Sequence, residues 1–179
     1  MKFILKDYQD DAVSNVLDRM KKARKWWHED NVFSAFSLTA TTGAGKTVMA
    51  AAVFEALFFG SDDHEFEPDP GAVVIWFSDD PSLNEQSKYR LMEAADKLTV
   101  SDLVTVENTF GRETFEPGKI YFLNTQKLSK NSMLVRGHDA NDAGVETVGG
   151  TPLMPDARPH TIWDTIRNTV DDPGLTLYL

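Results

Sequence analysis

Apolar positions along the chain switch between two periods, and the switches cut it into alternating helices and strands. From Tyr8 to Trp26 they recur at Ala12, Val13, Val16, Leu17 and Met20, the spacing of one helix face, with Lys21, Lys22, Arg24 and Lys25 in the last turns where they favour the helix dipole. Val32 to Ala40 predicts a buried strand, followed by a helix from Gly45 to Phe58. Ala72 to Ser78 is a nearly continuous apolar run of the kind a parallel sheet buries on both faces. Ser82-Leu83-Asn84-Glu85 has the pattern of a capping box, opening a helix to Leu98, and short strands are expected at Leu103 to Glu107 and Lys119 to Asn124. A last helix spans Thr161 to Val170, before an apolar run from Leu175 to Leu179. Strands alternating with helices in this order predict an α/β three-layer sandwich on a mostly parallel sheet.

Two stretches break the pattern. Ser61 to Pro70 is acidic and reads as a solvated loop. Residues 130 to 159 are poor in apolar periodicity and rich in Gly, Asp, Asn and Pro, which predicts a long loop or insertion. The 179 residues, 41% hydrophobic, suffice for one domain over residues 1 to 179. With no cysteine, a disulfide framework and a thiolate zinc site are excluded, and His28, His64, His138 and His160 are too scattered to suggest a metal cluster. No apolar run approaches the roughly 20 residues of a membrane span, and the amino terminus is no signal peptide, so a cytoplasmic protein is expected. A net charge of −10 argues against a wholesale polyanion-binding surface; any nucleic-acid role must come from a local site.

The chemistry concentrates in Ala40-Thr41-Thr42-Gly43-Ala44-Gly45-Lys46-Thr47, where the predicted strand meets the predicted helix. Glycines at 43 and 45 let the backbone curl so that N–H groups of Thr42, Gly43, Ala44, Gly45, Lys46 and Thr47 converge on phosphate oxygens. Lys46 can reach the β and γ phosphates, the Thr47 hydroxyl can ligate Mg2+, and the helix that follows adds its positive dipole end. The strict pattern has Gly where Ala40 stands, but Ala is also small and leaves this chemistry intact.

Four segments in order resemble the opening motifs of superfamily 2 helicases: Leu5-Lys6-Asp7-Tyr8-Gln9, the loop Ala40 to Thr47, Trp76 to Gln86, and Phe122 to Leu128. The resemblance is to the DEAD/DEAH-like motor of type III restriction enzymes and related defence proteins, and it spans nearly the whole chain. It implies a RecA-like P-loop NTPase domain that binds ATP with Mg2+, with Gln9 on the adenine edge and Lys46 and Thr47 in the catalytic machinery. It also implies that Pro81, Ser82, Gln86, Thr125, Gln126 and Lys127 lie along a nucleic-acid backbone, double-stranded DNA in the whole protein, with a methyltransferase or nuclease as a further partner. In that family the strand expected at Leu175 to Leu179 runs directly into the acidic Asp-Glu-Ala-His motif, and a second motor domain in the same chain supplies arginine fingers. The resemblance therefore implies a first motor domain truncated before its water-activating carboxylates and inactive alone.

A rival reading places Asp79 and Asp80, at the end of an apolar strand, as Mg2+ ligands of a small-molecule kinase or nucleotide switch. A third is a non-catalytic nucleotide-binding module. Trp26 and Trp27 read as covering residues rather than a base-stacking platform, because Glu29 and Asp30 follow closely.

Overall fold

The computed structural model describes residues 1–129, 132–135 and 159–179, together with the backbone of 147–148 and 151–152. Its elements are α1 (Asp7–Asp30), α2 (Lys46–Phe59), β1 (Ala72–Ser78), α3 (Pro81–Ala94), β2 (Leu103–Thr105), β3 (Lys119–Asn124), β4 (Thr147–Val148), β5 (Thr151–Pro152), α4 (Ile162–Asp171) and β6 (Thr176–Tyr178). The strands β2, β3, β1 and β6 lie in that spatial order and all pair in parallel, while β4 and β5 form a separate antiparallel pair. The expected loop at 130–159 falls mostly outside the described residues.

Alternation along the two central strands splits the core in two. Ala72, Val74, Ile120 and Phe122 face a cluster with Val13, Leu17 and Met20 of α1, Met49, Val53 and Leu57 of α2, and Leu91 of α3. Val73, Ile75, Tyr121 and Leu123 face the opposite side, with Phe115 and with Ile162 of α4. Helices on both faces of a parallel sheet are the predicted three layers. The buried hydroxyls of α4 fasten it: Phe115 N donates to Thr169 Oγ1 at 2.9 Å, and Thr165 Oγ1 donates to the Arg112 carbonyl.

Three local expectations are corrected. Val32 to Ala40 is not a strand: no strand of the described sheet pairs with it, residues 31–39 are all exposed, and Phe33 is 76% exposed. Apolar content alone does not make a strand, which is defined by its ladder; here Phe33 packs its ring 4.8 Å from Trp27 instead. The acidic stretch Ser61 to Pro70 is not simply solvated, because Phe66 and Asp69 are buried. Asp69 accepts from Gly71 N at 3.1 Å and from Tyr178 Oη at 2.9 Å, with Arg24 at 3.7 Å, which ties α1, this loop and β6 together. The third correction concerns the cap of α3, described below with the site.

Glu55 is a buried carboxylate on α2. Burial pushes its pKa up, but the Met1 ammonium at 2.6 Å and the backbone N–H groups of Lys97 and Asp96 outweigh that and hold it below the ordinary range. A depressed folded-state pKa contributes stability above the unfolded value of about 4.3, lost as pH falls through the folded value. Glu55→Ala is expected to cost about 3 kcal/mol at neutral pH. Urea titrations should show the gap between wild type and variant closing in acid; a gap independent of pH would refute the charged role.

Candidate nucleotide and nucleic-acid sites

The loop before α2 has the backbone that its glycines predict. Gly43 and Gly45 sit at φ +83° and +80°, the left-handed region where a side chain is strained. Gly45 is the N-cap of α2, and no side chain caps that first turn, whereas Asp80 caps α3 and Thr161 caps α4. An uncapped helix start with its N–H groups and dipole exposed is an anion site. The Lys46 ammonium folds over the loop, donating to the carbonyls of Ala40 at 2.8 Å and Thr41 at 3.1 Å. Lys46 is exposed and Thr47 half-buried on the first turn. A cleft of about 520 Å³ opens beside the loop, walled by Tyr8, Ala12, Leu38 and Met49 and by residues 39–44. The loop's N–H groups, Lys46 and Thr47 fit a Mg2+-bound triphosphate: they would hold the β and γ phosphates and one metal position, and the metal would neutralise phosphate charge. Among the described residues no cluster of His, Asp or Glu is arranged to hold a metal by itself.

Gln9 is not the surface glutamine its place on an amphipathic helix suggests; it is buried against the loop. Its Oε1 accepts from Lys6 N at 3.0 Å and its Nε2 donates to Ala44 O at 3.0 Å. Tyr8, whose role the sequence did not reveal, adds a second bond from its hydroxyl to the same carbonyl at 3.2 Å. Two side chains from the start of α1 thus pin the crest of the phosphate loop. Gln9→Ala strands the Lys6 N–H and half-frees the Ala44 carbonyl, and is expected to weaken Mg-ATP binding about tenfold. Comparing ATP with GTP separates two roles: an equal loss for both means loop positioning, and a loss confined to ATP means adenine reading.

The second group of site residues gathers at the C-terminal ends of β1 and β3, which run side by side in register to Ser78↔Asn124. Pro81, Ser82 and Gln86 are exposed on the first turns of α3, and Thr125 and Gln126 are exposed in the 3-10 turn Thr125–Leu128 that follows β3. Lys127 is turned away, its ammonium bonded to the Val106 carbonyl at 2.5 Å and 3.8 Å from Glu107. The predicted cap Ser82 is corrected to Asp80, whose Oδ1 accepts from Ser82 N at 2.8 Å; that bond holds the exposed Asp80 carboxyl below its usual range. Pro81 at the first helical position places the cap one residue before it, a signal present in Asp80-Pro81. Asn124 opens the other turn in the same way, its Oδ1 accepting from Gln126 N at 2.8 Å while its buried Nδ2 has no partner among the described residues. Asp79 accepts from Thr125 Oγ1 at 2.9 Å. Both carboxylates proposed as Mg2+ ligands in the rival reading are therefore bonded to the strand-end turns.

A parallel sheet sandwiched by helices, with a glycine-turned phosphate loop opening α2, defines a P-loop nucleotide-binding domain. More narrowly, the family model described as type III restriction enzyme, res subunit, matches residues 2–148, and the chain belongs to that family of ATP-dependent, helicase-like motors. No curated protein and no solved structure matches the chain. Among the described residues no helix is long and apolar enough to cross a membrane.

Proposed function

We propose that the chain is the ATP-binding part of an ATP-dependent nucleic-acid helicase or translocase serving DNA restriction or defence in the cytoplasm. The observation that carries this reading is the uncapped start of α2 behind the Gly43–Gly45 curl, with Lys46 held over it. Gln9, Lys46 and Thr47 engage ATP and Mg2+, and the turns after β1 and β3 face double-stranded DNA. The Gly43–Gly45 curl and the start of α2 position a triphosphate, but phosphoryl transfer also needs a group that activates water and charge that stabilises the transferred phosphoryl, so this loop by itself supports ATP binding without appreciable turnover. A second motor domain of the same parent protein supplies the missing charge, and a methyltransferase or nuclease partner acts on the DNA.

The DNA-facing part of this reading rests on donors. The amides of Ser82 and Gln126 are taken by the Asp80 and Asn124 caps, so the donors here are the exposed Ser82 hydroxyl and Gln126 side-chain amide, neutral groups that position phosphates without reading sequence. Replacing Ser82, Thr125 and Gln126 together by Ala is expected to weaken binding of a labelled DNA duplex at least tenfold while Mg-ATP affinity stays within about twofold. Fluorescence anisotropy measures the first and calorimetry the second. Unchanged duplex affinity would remove these residues from any nucleic-acid track.

A further inference from the structure

We propose that the groove between the first residues of the chain and the acidic loop after α2 docks a polypeptide segment of another protein, one that carries apolar side chains flanked by lysine or arginine. The groove stands apart from the nucleotide and DNA roles given above.

A chain segment free to move turns its apolar side chains inward, but residues 1–6 are pinned. Lys2 N donates to the Ala94 carbonyl and Lys2 Nζ to the Met92 carbonyl, both at 2.9 Å, while Lys6 N donates to Gln9 Oε1 and Leu5 packs on the core. Held in this way, the segment leaves Ile4 98% exposed and Phe3 48%, and Phe59 at the end of α2 is 44% exposed. All three line one groove of about 970 Å³, which shares no residue with the cleft at the phosphate loop. Exposed apolar residues scattered singly are ordinary. Three on one concave surface, fixed before any partner arrives, are the anchor points of an interface.

The facing wall selects the partner's charge. Asp62, Asp63, Glu65 and Glu67 are exposed there, and among the described residues no lysine or arginine forms an ion pair with any of them. The groove's other acids are already engaged, Asp10 by His64 and Glu55 by the Met1 ammonium. Its one lysine, Lys97, lies 5.8 Å from the centre of the Phe59 ring. The acidic wall is also built firmly: Ser61 and Phe66 exchange two main-chain bonds of 2.9 Å, and the Phe66 side chain is buried. Glu65 sits at φ +47°, where glycine is unstrained, so a charge is kept at a backbone cost. Such a rim repels nucleic acid and anionic lipid and attracts lysine and arginine, while the apolar floor supplies the contact area.

Two fluorescein-labelled leucine/lysine peptides serve as probes, one with helical and one with alternating spacing of leucine, each beside its leucine/glutamate counterpart. Anisotropy measures their binding to the 179-residue chain, and thermal midpoints check that each variant folds. At least one leucine/lysine peptide should bind, and neither leucine/glutamate peptide should. Ile4→Ser and Phe3→Ser should each weaken binding about fivefold. Neutralising Asp62, Asp63, Glu65 and Glu67 together, Asp to Asn and Glu to Gln, should weaken it at least about tenfold at low salt, with the gap closing as salt is raised. Trp163→Ser, and the same neutralisation of Glu29, Asp30, Glu113 and Asp171, should change affinity less than about twofold, because these exposed residues lie outside the groove. Failure of both leucine/lysine peptides to bind, an unchanged affinity in Ile4→Ser, or equal losses in the distant variants would overturn the proposal. A chain that self-associates through Ile4, or that binds phosphatidylcholine vesicles and loses them in Ile4→Ser, would overturn it in favour of a second copy or a lipid surface.

Discussion

Gly45→Val is expected to abolish Mg-ATP binding and to cost about 3 kcal/mol of stability, because two independent penalties coincide there. The residue sits at φ +80°, where a β-branched side chain is strained, and a Cβ built on it would stand 2.4 Å from Gln9 Nε2. Relief requires Gln9 to move, and that breaks its bond to Ala44 O, the contact that holds the loop crest. Gly43 is the control. Its φ is +83° but a Cβ there meets nothing within 4 Å, so Gly43→Ala carries the backbone penalty alone, about 1 kcal/mol. Urea midpoints and calorimetry on the two variants separate packing from conformation. Equal stability losses would show that Gln9 does not press on the loop.

How far the sequence foretold this molecule depends on how local each signal is. Ala72–Ser78 and Lys119–Asn124 match their expected bounds, because strands buried on both faces must be apolar along their length. The phosphate loop is legible for the same reason: a left-handed turn needs glycine, and Lys46 and Thr47 follow at fixed offsets. Val32 to Ala40 misled, since composition reports willingness to pair and not the presence of a neighbour. The cap of α3 was in the sequence as Asp80-Pro81, but Ser82 and Glu85 offered a competing pattern. Tyr8 on Ala44, Asp79 on Thr125 and Asp69 on Tyr178 join residues tens of positions apart. The last two follow from the strand order β2-β3-β1-β6 and the first from the docking of α1 against the phosphate loop, neither of which a local pattern encodes.

That division also explains the character of the site. Its nucleotide half is built from one contiguous loop and a buried glutamine close to the amino terminus, so its chemistry is visible in short motifs. The proposed nucleic-acid half draws on two turn starts that the parallel pairing of β1 and β3 brings side by side, so no single short motif contains it.

The central claim is that the loop before α2 binds a Mg-nucleotide through Lys46, and calorimetric titration of Mg-ATP into wild type and Lys46→Ala tests it most directly. The ammonium lies over the loop on the carbonyls of Ala40 and Thr41, and a triphosphate there gains a direct charge partner. The account predicts measurable binding by wild type and a loss of at least about a hundredfold, near 3 kcal/mol, in Lys46→Ala. Equal affinities for the two proteins would contradict it.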